Sequence, residues 1–369
     1  MPTTTTATIT DPRLVPIAEK VERGERLTKE DGLALYESPD LLTIGRLADM
    51  VNRRKNGDRV YFIENMYINP TNVCEAHCRF CAFRRDPGED GAYTMSPDEV
   101  LEYVAARFNP NIREFHIVGG HNHTVPFDYY LDVIQALKRH YPQVTIKAYT
   151  AAEVVFFAKL AGLTIEEVLT ELHKAGVETL PGGGAEILTE RYRQKMAPEK
   201  ASVEEWLNVH RIAHQMGMKT HATMLYGSIE TLEERIEHML RIRELQDETG
   251  GFLVFIPLAC QPMKPTASIK RRTSAFDDIK TIAISRLMLD NVDHIKAYFI
   301  NIGTQLTQLA LTFGADDVHG TLVEERISHA AGALTQTALT RDELIWLIKG
   351  AHKTPVERDT FYNVVRVYA

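Results

Sequence analysis

The sequence predicts a single (β/α)8 barrel, with a helical lead-in before it and a helical extension after it. Three observations favour this fold. About eight short apolar segments alternate with amphipathic segments along the 369 residues, as parallel strands joined by helices do. Cysteine-rich or glycine-rich turns follow several of these segments. The number of strand-like segments makes an open doubly wound sheet the weaker alternative.

The predicted boundaries give a lead-in of residues 1–58, a barrel of residues 59–335 and an extension of residues 336–369. Strands are predicted from runs of Val, Ile, Tyr and Phe at residues 59–69, 114–118, 144–149, 177–180, 219–225, 252–258, 295–302 and 313–322. Helices are predicted at residues 41–56, 96–108, 128–140, 151–161, 164–175, 202–217, 231–247, 276–289 and 304–311. The polar stretch 261–274 predicts a loop over the mouth of the barrel.

Several helices are predicted to begin at a capping box, in which a Ser or Thr precedes a Glu by three residues. The boxes are Ser96/Glu99, Thr164/Glu167, Ser202/Glu205, Thr231/Glu234 and Thr340/Glu343. The last of them predicts a helix in the extension. No internal repeat beyond the alternation of strands and helices is present.

Composition excludes several functional classes. The net charge of −8 and pI near 6.0 give no general attraction to nucleic acid or to an anionic membrane. The sequence contains no run of eighteen apolar residues, so no membrane-spanning helix is expected. Residues 1–6 lack the features of a signal peptide and predict a frayed tail. Four cysteines, three of them clustered, suit a reducing compartment, so we expect a cytoplasmic protein.

The clustered cysteines are Cys74, Cys78 and Cys81, with the spacing C-x3-C-x2-C. Three thiolates can hold three irons of a [4Fe-4S] cluster, and the missing fourth thiolate leaves one iron open to a small molecule. A structural zinc site is less favoured because it needs four ligands, and only His77 is nearby. Cys260 stands alone and is expected to be a small buried residue.

This cysteine pattern resembles that of the radical S-adenosylmethionine (SAM) superfamily. The resemblance implies that the amino and carboxylate groups of SAM chelate the open iron, and that an electron from the cluster cleaves SAM to a 5′-deoxyadenosyl radical. Residues implied to contact SAM are Phe80, Gly119, Gly120, Glu186, Tyr226, Gly227 and Glu230. For Glu186 and Glu230 an ordinary place in the first turn of a helix is about equally favoured.

Cations and histidines close to the predicted strand ends suit an anionic substrate. They include His116, His121, His123, Lys147, Arg84 and Arg85. The H-x-H pair at His121 and His123 could bind a metal, but no carboxylate accompanies it locally. Exposed basic residues are the alternative interpretation.

Longer segments resemble the aminofutalosine synthase family of menaquinone biosynthesis. They are NPTNVCEAHCRFCAFRRD, REFHIVGG, LPGGGAEIL, THATMLYGSIET, RELQDETGGFLVFIPLA and GADDVHGTLVEERISHAAG. The resemblance implies that the adenosyl radical adds to the enol ether of 3-[(1-carboxyvinyl)oxy]benzoate. The adduct then rearranges, loses a carboxylate and gives aminodeoxyfutalosine, with methionine as the other product. A flavodoxin or ferredoxin is implied as the electron donor.

For the two carboxylates of this substrate we predict contacts with His116, His121, Lys147 and Arg85. One departure from the family pattern concerns the loop after Gly120. Leu-His-Pro is expected there, and the sequence has His121-Asn122-His123.

Three rival functions are considered. The paralogous cyclic dehypoxanthinyl futalosine synthase abstracts hydrogen and releases 5′-deoxyadenosine, and a deazaflavin-type synthase uses a tyrosine-derived substrate. An iron–sulfur electron carrier would need four protein ligands and no SAM. The glycine-rich strand ends argue against the carrier.

Overall fold

A computed structural model describes residues 9–261, 272–322 and 325–368, and its centre is a parallel sheet. Seven strands lie in the order β2 to β8, and each pairs in parallel with the next in the sequence. They are β2 (Asn65–Ile68), β3 (Glu114–Ile117), β4 (Thr145–Ala148), β5 (Thr179–Leu180), β6 (Lys219–Tyr226), β7 (Phe252–Ala259) and β8 (His294–Ile295). Consecutive order and parallel pairing confirm the predicted alternation.

Two further strands complete the ring. β1 (Arg59–Ile63) and β2 are two halves of the predicted strand 59–69, separated at Glu64. β9 (Asp317–Gly320) pairs in parallel with β1, with Tyr61 opposite Asp317. A parallel bridge joins Lys296, just after β8, to Asp317. The sequence-predicted (β/α)8 barrel is therefore confirmed, with the strand β1–β2 as its first member.

The helices cover the outside of the sheet. They are α4 (Pro97–Ala105), α5 (Phe127–His140), α6 (Ala151–Ala161), α7 (Ile165–Ala175), α8 (Glu190–Met196), α9 (Val203–Gln215), α10 (Leu232–Thr249), α11 (Ala275–Met288), α12 (Phe299–Ile302), α13 (Thr304–Ala310), α14 (Ile327–Ala330) and α15 (Arg341–Gly350). All five predicted capping boxes form. The short helix α8 was not predicted.

The lead-in consists of a short 3-10 turn and the helices α1 (Val15–Arg23), α2 (Lys29–Glu37) and α3 (Leu41–Asn56). It packs on the outer helices through close contacts. A Cβ atom at Gly32 would lie 2.6 Å from the Ile236 side chain, and one at Gly45 would lie 2.3 Å from the Phe313 ring. The Lys280 ammonium also donates to the carbonyl of Ser38 at 2.7 Å. The lead-in is thus part of the packed molecule.

The extension contains strands as well as the predicted helix. β10 (Thr354–Arg358) pairs in parallel with β1, and β11 (Val364–Val367) pairs antiparallel with β10. β10 is short and contains a proline and two charged residues, so it lacks the apolar pattern of a strand. The apolar run 295–302 was predicted as a strand, but β8 contains only its first residue and α12 contains its last four.

Two predictions concern residues outside the described part of the chain: the frayed tail at residues 1–6, and most of the loop at 261–274. Within the described residues, no helix is long and apolar enough to cross a lipid bilayer.

Candidate functional site

A cavity of about 300 Å³ occupies the barrel at the C-terminal ends of its strands. Its described lining includes the three clustered cysteines, both glycines after β3 and the glycine run after β5. It also includes side chains from inside the barrel, such as Lys147 and His221. Loops that are far apart in the sequence therefore meet because parallel strands end at one edge of the barrel.

The cysteine loop, residues 74–81, lies between β2 and α4 and has no regular secondary structure. Backbone hydrogen bonds attach it to its surroundings. The Glu75 N–H donates to the His121 carbonyl at 3.0 Å, and the Arg79 N–H donates to the Met196 carbonyl at 2.9 Å. Cys74 and Cys78 are buried, and Cys81 is partly exposed. The loop thus presents three thiols to one end of the cavity.

Burial disfavours the thiolate form of Cys74 and Cys78. It raises the pKa of Cys78 to about 12, although the Lys200 ammonium opposes the shift. Burial also raises the pKa of Cys74. A bound metal deprotonates a coordinating thiol, so a cationic metal group would relieve this cost.

The described His, Cys, Asp and Glu side chains contain no group of three or more that could hold a single metal ion. A mononuclear zinc site would need such convergence. In a [4Fe-4S] cluster each cysteine holds a different iron, so the three thiols need not converge on one point. Cys74, Cys78 and Cys81, on one short loop, are therefore suited to hold three irons of a cluster.

Two cations lie beside the cysteine loop, and sequence reasoning missed both. The Lys200 ammonium lies 2.8 Å from Glu186 and 5.6 Å from the centroid of the Phe80 ring. Arg193 in α8 is 3% exposed, and none of its three guanidinium nitrogens has a hydrogen-bond partner among the described residues. Its electrostatic neighbours include Glu186 and Cys78. Arg193 is not among the described residues that line the cavity, whereas Lys200 is.

The glycines after β3 are needed for packing against the cysteine loop. A Cβ atom at Gly120 would lie 2.1 Å from the Val73 carbonyl oxygen. The Gly120 N–H donates to the Thr71 carbonyl, and the Gly119 N–H donates to Glu153 Oε1, both at 3.0 Å. Both glycines also line the cavity. Their contact with SAM stays a prediction.

Glu153, another residue that sequence reasoning missed, is 2% exposed and lines the cavity. Burial raises its pKa to about 7. It is the third helical residue in the capping box of α6, which has Thr150 at the N-cap. The Thr-x-x-Glu spacing at 150–153 was available in the sequence as a helix signal, but not as a signal for the cavity.

Three of the predicted SAM-contacting residues, Tyr226, Gly227 and Glu230, are not among the described residues that line the cavity, and their contact with SAM stays a prediction. The Tyr226 hydroxyl donates to Asp278 at 2.8 Å. Glu230 accepts the N–H groups of Gly227 and Ser228 and lies 2.9 Å from the Arg235 guanidinium. These contacts hold the loop after β6 in place.

The predicted substrate-contacting residues divide in the same way. His116, His121 and Lys147 line the cavity, whereas Arg85 is not among its described lining residues. Arg85 donates instead to the carbonyls of Ala82 and Arg84, and Arg84 does line the cavity. His121 stacks on Phe156 with 5.0 Å between ring centroids, and burial lowers its pKa to about 3.

Inside the barrel, charged and imidazole side chains form a group that we call the inner layer. It comprises Glu114, His116, Lys147, His221, Lys296, Asp317, His319 and Arg358. Lys147 Nζ lies 2.5 Å from Glu114 Oε1, and Arg358 Nη2 lies 2.7 Å from Asp317 Oδ2. Lys296 Nζ lies 2.9 Å from His319 Nδ1, and His319 Nε2 lies 3.0 Å from the Tyr67 hydroxyl. Burial lowers the pKa of all three histidines, which are therefore neutral.

Comparison with known proteins places this geometry in a family. A model described as "Radical SAM superfamily" matches residues 68–242, and one described as "CofH/MqnC C-terminal region" matches residues 249–368. An aminodeoxyfutalosine synthase of Thermus thermophilus is 50% identical over 364 residues, which cover 98% of each chain. The chain belongs to the aminodeoxyfutalosine synthase family of radical SAM enzymes.

Other relatives and one solved structure are also similar to this chain. An aminodeoxyfutalosine synthase of Streptomyces coelicolor is 46% identical, with 95% of this chain and 94% of the relative covered. A cyclic dehypoxanthine futalosine synthase of Halalkalibacterium halodurans is 34% identical, with 95% of each chain covered. The crystal structure of methylornithine synthase (PylB) superposes with a TM-score of 0.72 at 19% identity, covering 92% of this chain and 97% of that one. The structural likeness supports the barrel fold.

Radical SAM enzymes use a [4Fe-4S] cluster and SAM, and this family member uses both. The donor chemistry of the site fits them: it offers three thiols and a cavity shared by the cysteines and the glycine-rich turns. The prediction of these cofactors from the cysteine spacing is confirmed.

Proposed function

We propose that this enzyme joins the 5′-deoxyadenosyl group of SAM to 3-[(1-carboxyvinyl)oxy]benzoate. Rearrangement and loss of one carboxylate then give 6-amino-6-deoxyfutalosine, with methionine as the second product. The observation that carries the proposal is the 50% identity, over 98% of each chain, to a relative named aminodeoxyfutalosine synthase. Identity to the cyclic dehypoxanthine futalosine synthase is lower, at 34%, so that rival is not favoured.

In this proposal Cys74, Cys78 and Cys81 hold the cluster and leave one iron to SAM. When bound, the cluster and SAM supply the adenosyl radical. Glu186 and Lys200 are paired at 2.8 Å and line the cavity, where they offer a carboxylate and an ammonium to the polar groups of SAM. Phe80 lines the same wall. The mostly apolar remainder of the cavity excludes water from the reacting carbon.

The substrate carries two carboxylates, and His116, His121 and Lys147 line the cavity as their candidate partners. Lys147 is 2% exposed and its only described ion pair is with Glu114. An ammonium has three donors, so a carboxylate could bind beside that pair. Arg85 was predicted for the same role, but its guanidinium donates to the carbonyls of Ala82 and Arg84, and it is not among the described residues that line the cavity.

An external one-electron donor, such as a flavodoxin or a ferredoxin, is proposed to reduce the cluster. We also propose a cytoplasmic location, because an open cluster requires a reducing environment.

The test is anaerobic reconstitution followed by incubation with SAM, reductant and the enol ether. Mass spectrometry of the products should detect the covalent adduct of the adenosyl group, together with methionine. A yield of only 5′-deoxyadenosine would reject the proposal and favour a hydrogen-abstracting relative. The same incubation with the variant Cys78→Ser, which lacks one cluster ligand, gives the background.

A further inference from the structure

The inner layer contains three side chains that face the cavity from the strands β3, β4 and β6. His116 is the third residue of β3 and Lys147 the third of β4, and their Cα atoms are register partners. His221 is the third residue of β6. All three line the cavity that also contains the cysteines. Since strands are rigid, the three side chains form a prearranged surface.

Two polar atoms of this surface have no hydrogen-bond partner among the described residues. His116 Nδ1 and His221 Nε2 are buried and make no hydrogen bond with the described residues. Buried polar atoms in folded proteins nearly always have a partner. His210 and His238 also carry a buried nitrogen without a partner, but neither is among the described residues that line the cavity. At His116 and His221, unlike those two, a ligand in the cavity can supply the missing hydrogen bond.

The charge of the inner layer indicates the sign of that ligand. Its cations are Lys147, Lys296 and Arg358, and its carboxylates are Glu114 and Asp317. When all five are ionised, one positive charge is uncompensated. A buried charge is stable only when it is paired, so an anionic group of the ligand would complete the layer. Neutral imidazoles can donate hydrogen bonds to that anion.

Depth decides which part of the substrate reaches this surface. Gly119, at the mouth, follows His116 by three residues, which corresponds to roughly 10 Å along a strand. The reacting double bond must lie near the mouth, where the cysteine loop and the glycine turns meet. The carboxylate on the benzene ring lies at the opposite end of the substrate from that bond. It is therefore the group that can extend toward the interior.

We propose that His116, Lys147 and His221 form a subsite for the ring carboxylate of the substrate, and that this subsite selects a benzoate over an uncharged ring. The proposal rests on the proposed function. It assigns a role to His221, which no sequence motif indicates, and it gives His116 and Lys147 one specific carboxylate.

The test compares two ligands in the reconstituted enzyme with SAM and without reductant, so that binding is measured without turnover. One ligand is 3-[(1-carboxyvinyl)oxy]benzoate, and the other is 2-phenoxyacrylate, which lacks the ring carboxylate. By anaerobic calorimetry, His221→Leu should weaken binding of the benzoate at least about tenfold, because a hydrogen bond to a charged group is lost. Binding of 2-phenoxyacrylate should change less than about threefold. His116→Leu should behave in the same way.

His210→Leu is the matched control, because it removes an equally buried imidazole from α9 and should leave the affinity of both ligands unchanged. His221→Gln should restore part of the benzoate affinity, because its amide can donate. Cluster absorbance and circular dichroism test whether each variant is folded. If His221→Leu is not folded, the affinities of His116→Leu and His221→Gln decide whether the subsite exists. Equal weakening of both ligands, or no weakening, would overturn the subsite.

The proposed function is tested separately. It would be rejected if the wild-type enzyme with reductant made no adduct from the benzoate. Adduct formation by the wild type, combined with equal losses for both ligands in the variants, would reject only the subsite.

Discussion

The cysteine loop and the inner layer form two walls of one cavity, but they are built in opposite ways. The loop takes its three ligands from eight consecutive residues, 74–81, and has no regular secondary structure. The inner layer takes its side chains from strands spread between residues 114 and 358. Charges in the inner layer are paired at 2.5 Å and 2.7 Å within the protein, whereas burial raises the pKa of the Cys74 and Cys78 thiols in the loop.

This difference indicates how each wall acquires its geometry. The thiolates of Cys74 and Cys78 depend on cluster binding, because ligation stabilises the charged form that burial disfavours. The inner layer is prearranged by strand register and by its own ion pairs. Substitutions in the loop should therefore abolish chemistry and leave the fold intact, and substitutions in the inner layer should affect the fold as well.

The largest expected effect is that of Cys78→Ser. Loss of a ligand should reduce the cluster absorbance near ~400 nm and lower activity by more than roughly 100-fold, since loss of a supporting partner alone costs metal sites 10–100-fold. The urea midpoint of the cluster-free protein should stay unchanged. Cys260→Ser is the control, because Cys260 also lines the cavity but is not a predicted ligand. Full cluster content in Cys78→Ser would contradict the assignment.

Lys147→Met should have the next largest effect, on stability. It leaves Glu114 buried without its partner at 2.5 Å, and breaking a buried ion pair costs about 3–5 kcal/mol. Urea unfolding of the cluster-free protein measures the free energy of unfolding. Lys159→Met is the matched control, since Lys159 is exposed and lies 3.7 Å from Glu205. The double variant Glu114→Gln/Lys147→Met should recover part of the loss; a larger loss in the double variant would mean that the pair is not the cause.

The same contrast explains what could be predicted from the sequence. The cysteine spacing and the five capping boxes are local patterns, and they correctly gave the cluster and the helix starts. His221 lies in a strand whose alternation carries no chemical motif, and Arg193 and Lys200 lie in or after a short helix that was not predicted. Their placement depends on the packing of distant elements against the cysteine loop. β10 was missed because β1, almost 300 residues earlier in the chain, supplies its pairing partner.

A third prediction concerns pH and the inner layer. Burial, with Arg358 and Lys147 nearby, lowers the pKa of Lys296 to about 7 despite the opposing carboxylates of Asp317 and Glu114. A carboxylate bound in the layer would favour the charged form, so binding should take up a proton above pH 7. The dissociation constant of the benzoate should then rise by up to about tenfold per pH unit above 7, as one linked proton requires.

Calorimetry in buffers of different ionisation enthalpy measures this proton uptake, and Lys296→Met should remove it. A dissociation constant of the benzoate that stays constant from pH 6.5 to about pH 9 would show that the inner layer does not sense the charge of the ligand.

The lowered pKa of Lys296 also has a consequence for folding. Between pH 7 and 10.5, the ordinary pKa of a lysine, the unfolded chain binds more protons at Lys296 than the folded one, so this residue contributes a gain in stability as pH rises through that window.

Glu199→Gln should have the smallest effect, although it lies at the cysteine loop. Glu199 accepts the His77 N–H at 2.6 Å and lies 3.0 Å from His77 Nδ1. Both side chains are about half exposed, and an exposed pair contributes less than about 1 kcal/mol. The variant should retain its cluster, and the rate of cluster loss under chelator should change less than about fivefold, which corresponds to that free energy. If Glu199→Gln lost the cluster as completely as Cys78→Ser, this surface contact would be as important for cluster binding as a ligand. The contrast between a loop that depends on its ligands and a prearranged inner layer would then not hold.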